Sequence, residues 1–492
     1  MRLPLLFASA AALALAACGS DNSTNSGSRQ SAQVASDVSD KDLEDQVMGA
    51  LEDASKHGLT KDLFLKGELP RDGAERRDAL IRIARDYASA LAMGKTDPSK
   101  LRDVYTVPRA KADVSAGLAQ ALSRKNYREW VNSLAPQTPE YQALSKAFVA
   151  LVQRSPNLPD NDIASGEVLK PGMRDPRVPA IAANLRAQGY LEAPPEAKDR
   201  QDAAAKPAPG DRYGPDIVAA VKRWQADAGL KVDGIIGNDT VAALNASPRD
   251  RARTLAVAME RLRWLDRNAP ATRIDVNIAG AYLDYWRDGQ QRGSRNVVAG
   301  QPGWETPQLG APIFQLVANP SWTVPESIET KELSKKGAAY LASQNIVRDN
   351  GKLVQKPGPK NALGQVKFDM KDDEAIYLHD TPAKALFGEP ERHESHGCVR
   401  VQNAVDFARE LAEADGVLDK FNEALASGEE TFVDLNHDIP VRLMYHTAYL
   451  GTDGRVHFAE DVYGWDNDVA TALGYATKAP TKRATRAGDI GP

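Results

Sequence analysis

Two hydrophobic periods divide the chain. From Asp40 to about Arg154, apolar side chains recur at helical spacing: Leu43, Val47, Ala50 and Leu51, then Leu80, Ile83, Ala84, Tyr87 and Leu91, then Tyr141, Leu144, Phe148 and Leu151 beyond Pro136 and Pro139. That period predicts amphipathic helices, and a helical domain over residues 40–170. Residues 171–247 predict a smaller helical module. Val178, Ile181 and Leu185 mark its first helix, Ile217, Val218, Val221 and Trp224 its second, and Asp239 to Leu244 its third, capped by Asn238 or Asp239. A Pro/Ala/Asp-rich insert, roughly 192–211, separates the first two helices and reads as a mobile loop. A connecting helix within 248–270 carries Leu255, Ala258, Met259, Leu262 and Leu265 on one face and arginines on the other.

From residue 271 the period falls to two. Ile274 to Ile278 alternates as a strand does, and Ala281–Trp286, Asn296–Gly300, Thr431–Leu435 and Val441–Tyr449 read as further strands. Asp453-Gly454 predicts a hairpin turn into Arg455–Phe458 that closes the sheet. Residues 326–360 interrupt this domain with a charged helical stretch followed by an extended polar one. After Cys398, Ala404, Phe407, Ala408 and Leu411 return to helical spacing, with a start near Gln402. The expected architecture is multidomain α+β: a helical scaffold, a small three-helix domain, and a mainly-β domain over 271–474 carrying a helical insertion. The tail, 475–492, is rich in Lys, Arg, Thr and Pro and reads as disordered.

Composition narrows the class. With 492 residues the chain has room for about three domains. A net charge of −5 leaves no basic footprint for nucleic acid. The first 17 residues are a short basic start and an alanine-rich apolar run, too short to span a membrane, which reads as a signal peptide. Residues 18–39 are Ser/Asn/Asp/Gln-rich and predict a flexible tether.

There are two cysteines, Cys18 and Cys398. A lone cysteine is ordinarily a small buried hydrophobe. Cys398, however, follows Ser395-His396-Gly397 and precedes Val399-Arg400, and three of the seven histidines (His379, His393, His396) lie close by in sequence. A thiolate is the reactive form of cysteine, and an imidazole is its usual base. His379 ends an apolar run, Ala375–Leu378, that reads as a strand. Gly397 allows close backbone approach, and the Gly397 and Cys398 N–H groups are candidate oxyanion donors. Lone His57 reads as a surface or capping residue, and His437, His446 and His457 as structural.

His379, a gap, then Ser-His-Gly-Cys-x-Arg resembles the catalytic signature of L,D-transpeptidases with the YkuD-type domain, of the large multidomain periplasmic (YcbB-like) group. Asp86–Leu91 and Leu134-Ala135-Pro136 resemble the helical scaffold of that group, and Trp224-Gln225 … Asp233-Gly234 … Gly237 resembles a peptidoglycan-binding domain. The resemblance implies acyl transfer between peptidoglycan stem peptides, with Cys398 as nucleophile, His379 as base, His396 and Gly397 in the catalytic loop, and Ser395, Tyr377, Trp322 and Arg400 toward substrate. It gives residues 326–360 the role of a lid and makes the backbone carbonyl after His379 its support, with the Asp380 carboxylate a second candidate. No metal or organic cofactor is implied. Leu15-Ala16-Ala17-Cys18-Gly19 resembles a lipobox, which implies lipidation of Cys18 and a periplasmic protein anchored to a membrane, the outer one favoured. Two alternatives stay open: hydrolysis of the same peptides as an L,D-carboxypeptidase or endopeptidase, and a non-catalytic lipid-anchored wall-binding protein. The oligomeric state is unspecified.

Overall fold

The computed structural model describes residues 38–154, 163–164, 166–192, 210–228, 230, 232–246, 248–389 and 391–477. The predicted signal peptide, Cys18, nearly all of the tether, most of the 192–211 insert and most of the tail lie outside the described residues.

The first region holds α1 (Asp40–Leu51), α2 (Gly73–Met93), α3 (Ser115–Ser123), α4 (Tyr127–Ser133) and α5 (Pro139–Arg154). The Ser39 side chain accepts from the Asp42 N–H and so caps α1, satisfying one of the free donors of its first turn. Leu43, Val47, Leu80, Ile83, Tyr87, Leu91, Leu144 and Phe148 meet in one core. The small module follows: α6 (Val178–Ala187), α7 (Pro215–Asp227) and α8 (Asn238–Asn245), around Ile181, Leu185, Tyr213, Trp224 and Ile236. The N-cap of α8 falls on Gly237, not on Asn238 or Asp239 as expected.

The next helix, α9 (Pro248–Trp264), differs from the expected bridge. It enters the core of the first region, with Leu255, Ala256, Val257, Ala258 and Met259 all buried. Three of its five arginines are buried too: Arg253 is 7% exposed, Arg261 1%, and Arg263 is fully covered. A buried guanidinium is tolerated only with charged and hydrogen-bonding partners. Arg263 has Glu260 at 2.7 Å and donates to Tyr141 Oη and the His57 carbonyl, each at 2.8 Å. His57 is therefore interior, not at the surface. Its ring nitrogens lie 3.0 Å from Tyr141 Oη and 3.0 Å from Asn132 Oδ1, and burial pushes its pKa down to about 4.

The strands are β1 (Arg273–Asn277), β2 (Tyr282–Arg287), β3 (Gln290–Gly300), β4 (Gly310–Ala318), β5 (Trp322–Thr323), β6 (Ile346–Asp349), β7 (Lys352–Gln355), β8 (Val366–Met370), β9 (Leu378–His379), β10 (His393–Ser395), β11 (Val399–Val401), β12 (Thr431–Met444), β13 (Ala448–Leu450) and β14 (Val456–Phe458). Among the described residues nine of them form one sheet, ordered β10-β3-β11-β9-β8-β4-β12-β1-β2. The β1–β12, β3–β10 and β9–β11 pairings are parallel, so the sheet is mixed. The stretch expected as two strands near 431–449 is mostly one long strand, β12, with a register shift between Asp434 and Ile439. The β13–β14 hairpin is a separate small sheet; it does not close the large one.

Between β4 and β8 stands the insertion: β5, β6 and β7 as a second small sheet, with α10 (Glu326–Lys331) and α11 (Ala338–Ser343). It has its own apolar cluster of Trp322, Val324, Ile328, Leu333, Ile346 and Leu353, with Trp304 and Tyr377 at its margin. Two helices back the main sheet, α12 (Ala404–Asp415) and α13 (Leu418–Ala426), burying Phe407, Leu411 and Phe421 against it. The last helix, α14 (Asp466–Ala472), packs on α9 through Val469, Ala470 and Leu473.

Candidate active site

β9 and β11 run side by side in parallel, Leu378 opposite Val399 and His379 opposite Arg400. Side chains alternate along a strand, so Leu378 and Val399 drop into the sheet core while the residues between them face the other way. His379 and Arg400 thereby share the opposite face, and Tyr377, just before β9, meets both the His379 ring, centres 5.7 Å apart, and the Cys398 thiol, just before β11.

The turn entering β11 is pinned at successive peptides. The Ser395 hydroxyl donates to the Cys398 carbonyl at 2.6 Å and accepts the Gly397 N–H at 3.2 Å. The Thr306 hydroxyl donates to the Gly397 carbonyl at 2.8 Å. Gly397 has φ +115°, a region closed to most side-chain-bearing residues, so conformation alone requires glycine there. The Gly397 N–H, one of two expected oxyanion donors, is already engaged by Ser395; the Cys398 N–H is the remaining candidate.

The His379 Nδ1 lies 2.5 Å from the Asp380 carbonyl oxygen. A carbonyl can only accept, so Nδ1 carries the proton and Nε2 is the basic nitrogen. The Asp380 carboxylate is turned elsewhere, accepting the Gln365 N–H at 3.0 Å and pairing with Lys384. Asp380 supports His379 through its backbone.

Cys398 is 5% exposed. Its thiol donates to the Ala375 carbonyl at 3.9 Å, and Tyr377 meets it with both backbone N–H and hydroxyl. Burial pushes the thiol pKa up to about 11, against the opposing pull of Tyr377 and Lys367. Lys367 stands opposite His379 on β8, with Nζ 4.5 Å from the centre of the Tyr377 ring. Burial thus favours the neutral thiol over the thiolate at this sulfur. The helix that follows, α12, starts at Ala404, two residues later than its expected start near Gln402.

The insertion reaches the catalytic turn directly. Its Glu332 Oε1 is 2.7 Å from His396 Nε2, and His396 stands edge-on to Trp304 at 4.9 Å. Lys331 Nζ lies 4.2 Å from the Trp304 ring centre. Trp322 is 1% exposed within the insertion's core, and Ser395 and Arg400 have no exposed surface. Of the residues expected to face substrate, these three are interior here, and Tyr377 touches the Cys398 thiol. Thr306, Glu332 and Tyr463 take part in the site without having been singled out from sequence. A Thr-Pro turn and a Tyr-Gly-Trp run were visible, but nothing in their spacing places them beside residue 397.

Residues 271–418 match the YkuD family, described as an L,D-transpeptidase catalytic domain. Residues 174–244 match a peptidoglycan-binding domain family and residues 38–148 a scaffold domain family. A Haemophilus influenzae protein carrying the provisional name L,D-transpeptidase is 31% identical over 223 residues, 40% of this chain and 45% of its own length. The chain therefore spans about half the length of that relative. Among solved structures, an L,D-transpeptidase from Xylanimonas cellulosilytica aligns at 17% identity with a TM-score of 0.20, over 57% of this chain and 98% of its own. One from Mycobacterium smegmatis aligns at 13% with a TM-score of 0.21, over 35% of this chain and 58% of its own. The turn built around Cys398 thus belongs to an L,D-transpeptidase catalytic domain of the YkuD type, joined in this chain to a scaffold domain and a peptidoglycan-binding domain.

Proposed function

We propose that this chain is a cysteine acyltransferase that forms 3→3 cross-links between peptidoglycan stem peptides. The reading is carried by one observation: the Asp380 carbonyl fixes the proton of His379 on Nδ1, leaving Nε2 as the basic nitrogen of a ring packed on the same Tyr377 that contacts the Cys398 thiol. As the Cys398 sulfur attacks the carbonyl carbon of the third residue of a tetrapeptide stem, its proton passes to Nε2. The C–S bond forms and the C–N bond to the terminal D-alanine breaks, its amine leaving with the proton from His379. An amine on a neighbouring stem then attacks the thioester, C–N forms, C–S breaks, and the thiol is restored. The Cys398 N–H receives the developing oxyanion in both halves.

Purified protein incubated with disaccharide-tetrapeptide should yield dimers with the 3→3 linkage and free D-alanine, read by mass spectrometry, and C398A should yield neither. D-Alanine release with tripeptide product and no dimer would assign the hydrolytic activity instead. A carbapenem should add once to the wild-type chain, on Cys398. We further propose that Cys18 is lipidated and holds the protein at a periplasmic membrane face, the outer membrane favoured; C18A should abolish metabolic palmitate labelling and release the protein to the soluble fraction.

A further inference from the structure

We propose that Thr306 is a positioning residue for the oxyanion-binding N–H of Cys398, and that Tyr463 holds it in place. The proposal rests on the acyl-transfer reading above.

The argument is one of peptide geometry. The unit that links Gly397 to Cys398 is planar and trans, so its C=O and N–H point in opposite directions. Whatever fixes the Gly397 carbonyl therefore aims the Cys398 N–H. Gly397 has the widest torsional freedom of any residue, and at φ +115° it occupies a region that exploits it. Ser395 does not anchor this unit. Its hydroxyl binds the Gly397 N–H and the Cys398 carbonyl, which belong to the peptides before and after. The Thr306 hydroxyl binds the unit itself, donating to the Gly397 carbonyl at 2.8 Å.

Thr306 is built to hold that pose. It has no exposed surface. Its hydroxyl oxygen accepts the Gly300 N–H at 2.9 Å, so its single proton is committed to Gly397. A Cβ at Gly300 would collide with the Trp304 carbonyl, which shows how tightly this turn is closed. Tyr463 bridges the same two residues from behind: its hydroxyl donates to the Gly300 carbonyl at 2.6 Å and accepts the Thr306 N–H at 3.2 Å. The Tyr463 ring stacks on Tyr445, centres 5.3 Å apart, and the Tyr445 hydroxyl donates to Asp461 at 2.9 Å. Tyr463 lies beyond residues 271–418, so the support comes from chain outside the matched catalytic domain.

The test compares T306V, T306S, Y463F and C398A, reading carbapenem acylation by intact mass alongside steady-state kcat and KM on the tetrapeptide. T306V keeps the side-chain shape and loses the hydroxyl. It should slow acylation and lower kcat about 10- to 100-fold, short of the 10²–10³ for deleting an oxyanion donor outright, with KM within about twofold. T306S should restore most of the rate, and Y463F should lose about three- to tenfold. A T306V that folds and acylates at the wild-type rate overturns the proposal. So does a T306S impaired as deeply as T306V, because the hydroxyl would then not be what matters. If T306V does not fold, Y463F decides, and a wild-type rate there overturns the proposal. Continued acylation of C398A would instead sink the acyl-transfer reading, leaving the two failures distinguishable.

Discussion

Resemblance in sequence named Cys398 and His379; in the folded chain His379 lies on β9 opposite Arg400, Cys398 stands just before β11, and Tyr377 touches both. What the residues could not disclose is protonation. Cys398 lies between polar neighbours in sequence, yet it is 5% exposed, and its thiol is pushed up to about 11 by burial. Desolvation is a property of the whole surround, so no local run of letters reports it. The consequence is measurable. Alkylation of the free enzyme by iodoacetamide should rise about tenfold per pH unit from pH 7 to 10, following the thiolate fraction. A resting thiolate–imidazolium pair would give a plateau from about pH 7, and that result would reject the neutral-thiol description. The same shift bears on stability. The unfolded thiol ionises from about pH 8.5, the folded one only near 11, so between these values the unfolded chain releases its proton first and the folded state loses stability as pH rises.

At the scale of elements, strong periodicity translated well and short or buried elements did not. The helices of the first region follow the predicted spacing because one face of each is buried and the other wet, as in α1, and β1 keeps its alternation although Asp275 and Asn277 on its polar side are buried as well. α9 misled because a helix buried on most sides carries Arg253, Arg261 and Arg263 inward, where the pattern reads them as solvent-facing. The insertion was legible as a break in strand alternation, but its link to the catalytic turn was not, since Glu332 and His396 are 64 positions apart. That contact ties an insertion with a core of its own to the residue two before Cys398. Removing it in E332A should loosen the insertion without unfolding the sheet beneath. Hydrogen exchange over 326–360 should quicken, while amides of β4, β8 and β12 keep their protection. Unchanged exchange across the insertion would mean that its apolar cluster alone holds it down.

At the scale of the molecule, the division into a helical region, a small helical module and a mainly-β domain was readable from the hydrophobic period, whereas the way the parts lock together was not. α9, which precedes the catalytic sheet, is clamped to α14, which follows it. Arg261 and Asp466 are each about 2% exposed along their side chains and 2.5 Å apart, and Thr447 donates a second bond to Asp466 at 2.8 Å. Among the described residues Arg261 Nε and Nη2 have no hydrogen-bond partner, so Asp466, with the Tyr445 ring centre 5.1 Å from the guanidinium, carries its compensation. Removing one partner of such a pair strands a charge in the interior. D466N should therefore cost about 3–5 kcal/mol, read as a lower urea midpoint by tryptophan fluorescence. Replacing both members with apolar residues of similar volume, as in R261M with D466L, should recover most of that loss, because the burial penalty leaves with the charges. A D466N protein within about 1 kcal/mol of wild type would show that water reaches Arg261 and that the clamp is weaker than its burial implies. The same clamp continues toward catalysis, since Asp461 accepts from Tyr445, which stacks on the Tyr463 that braces Thr306. D466N enzyme that remains folded at low temperature should therefore also acylate more slowly than wild type, with T306V in the same background adding less than it does alone. Fully additive losses would separate the clamp from the catalytic turn.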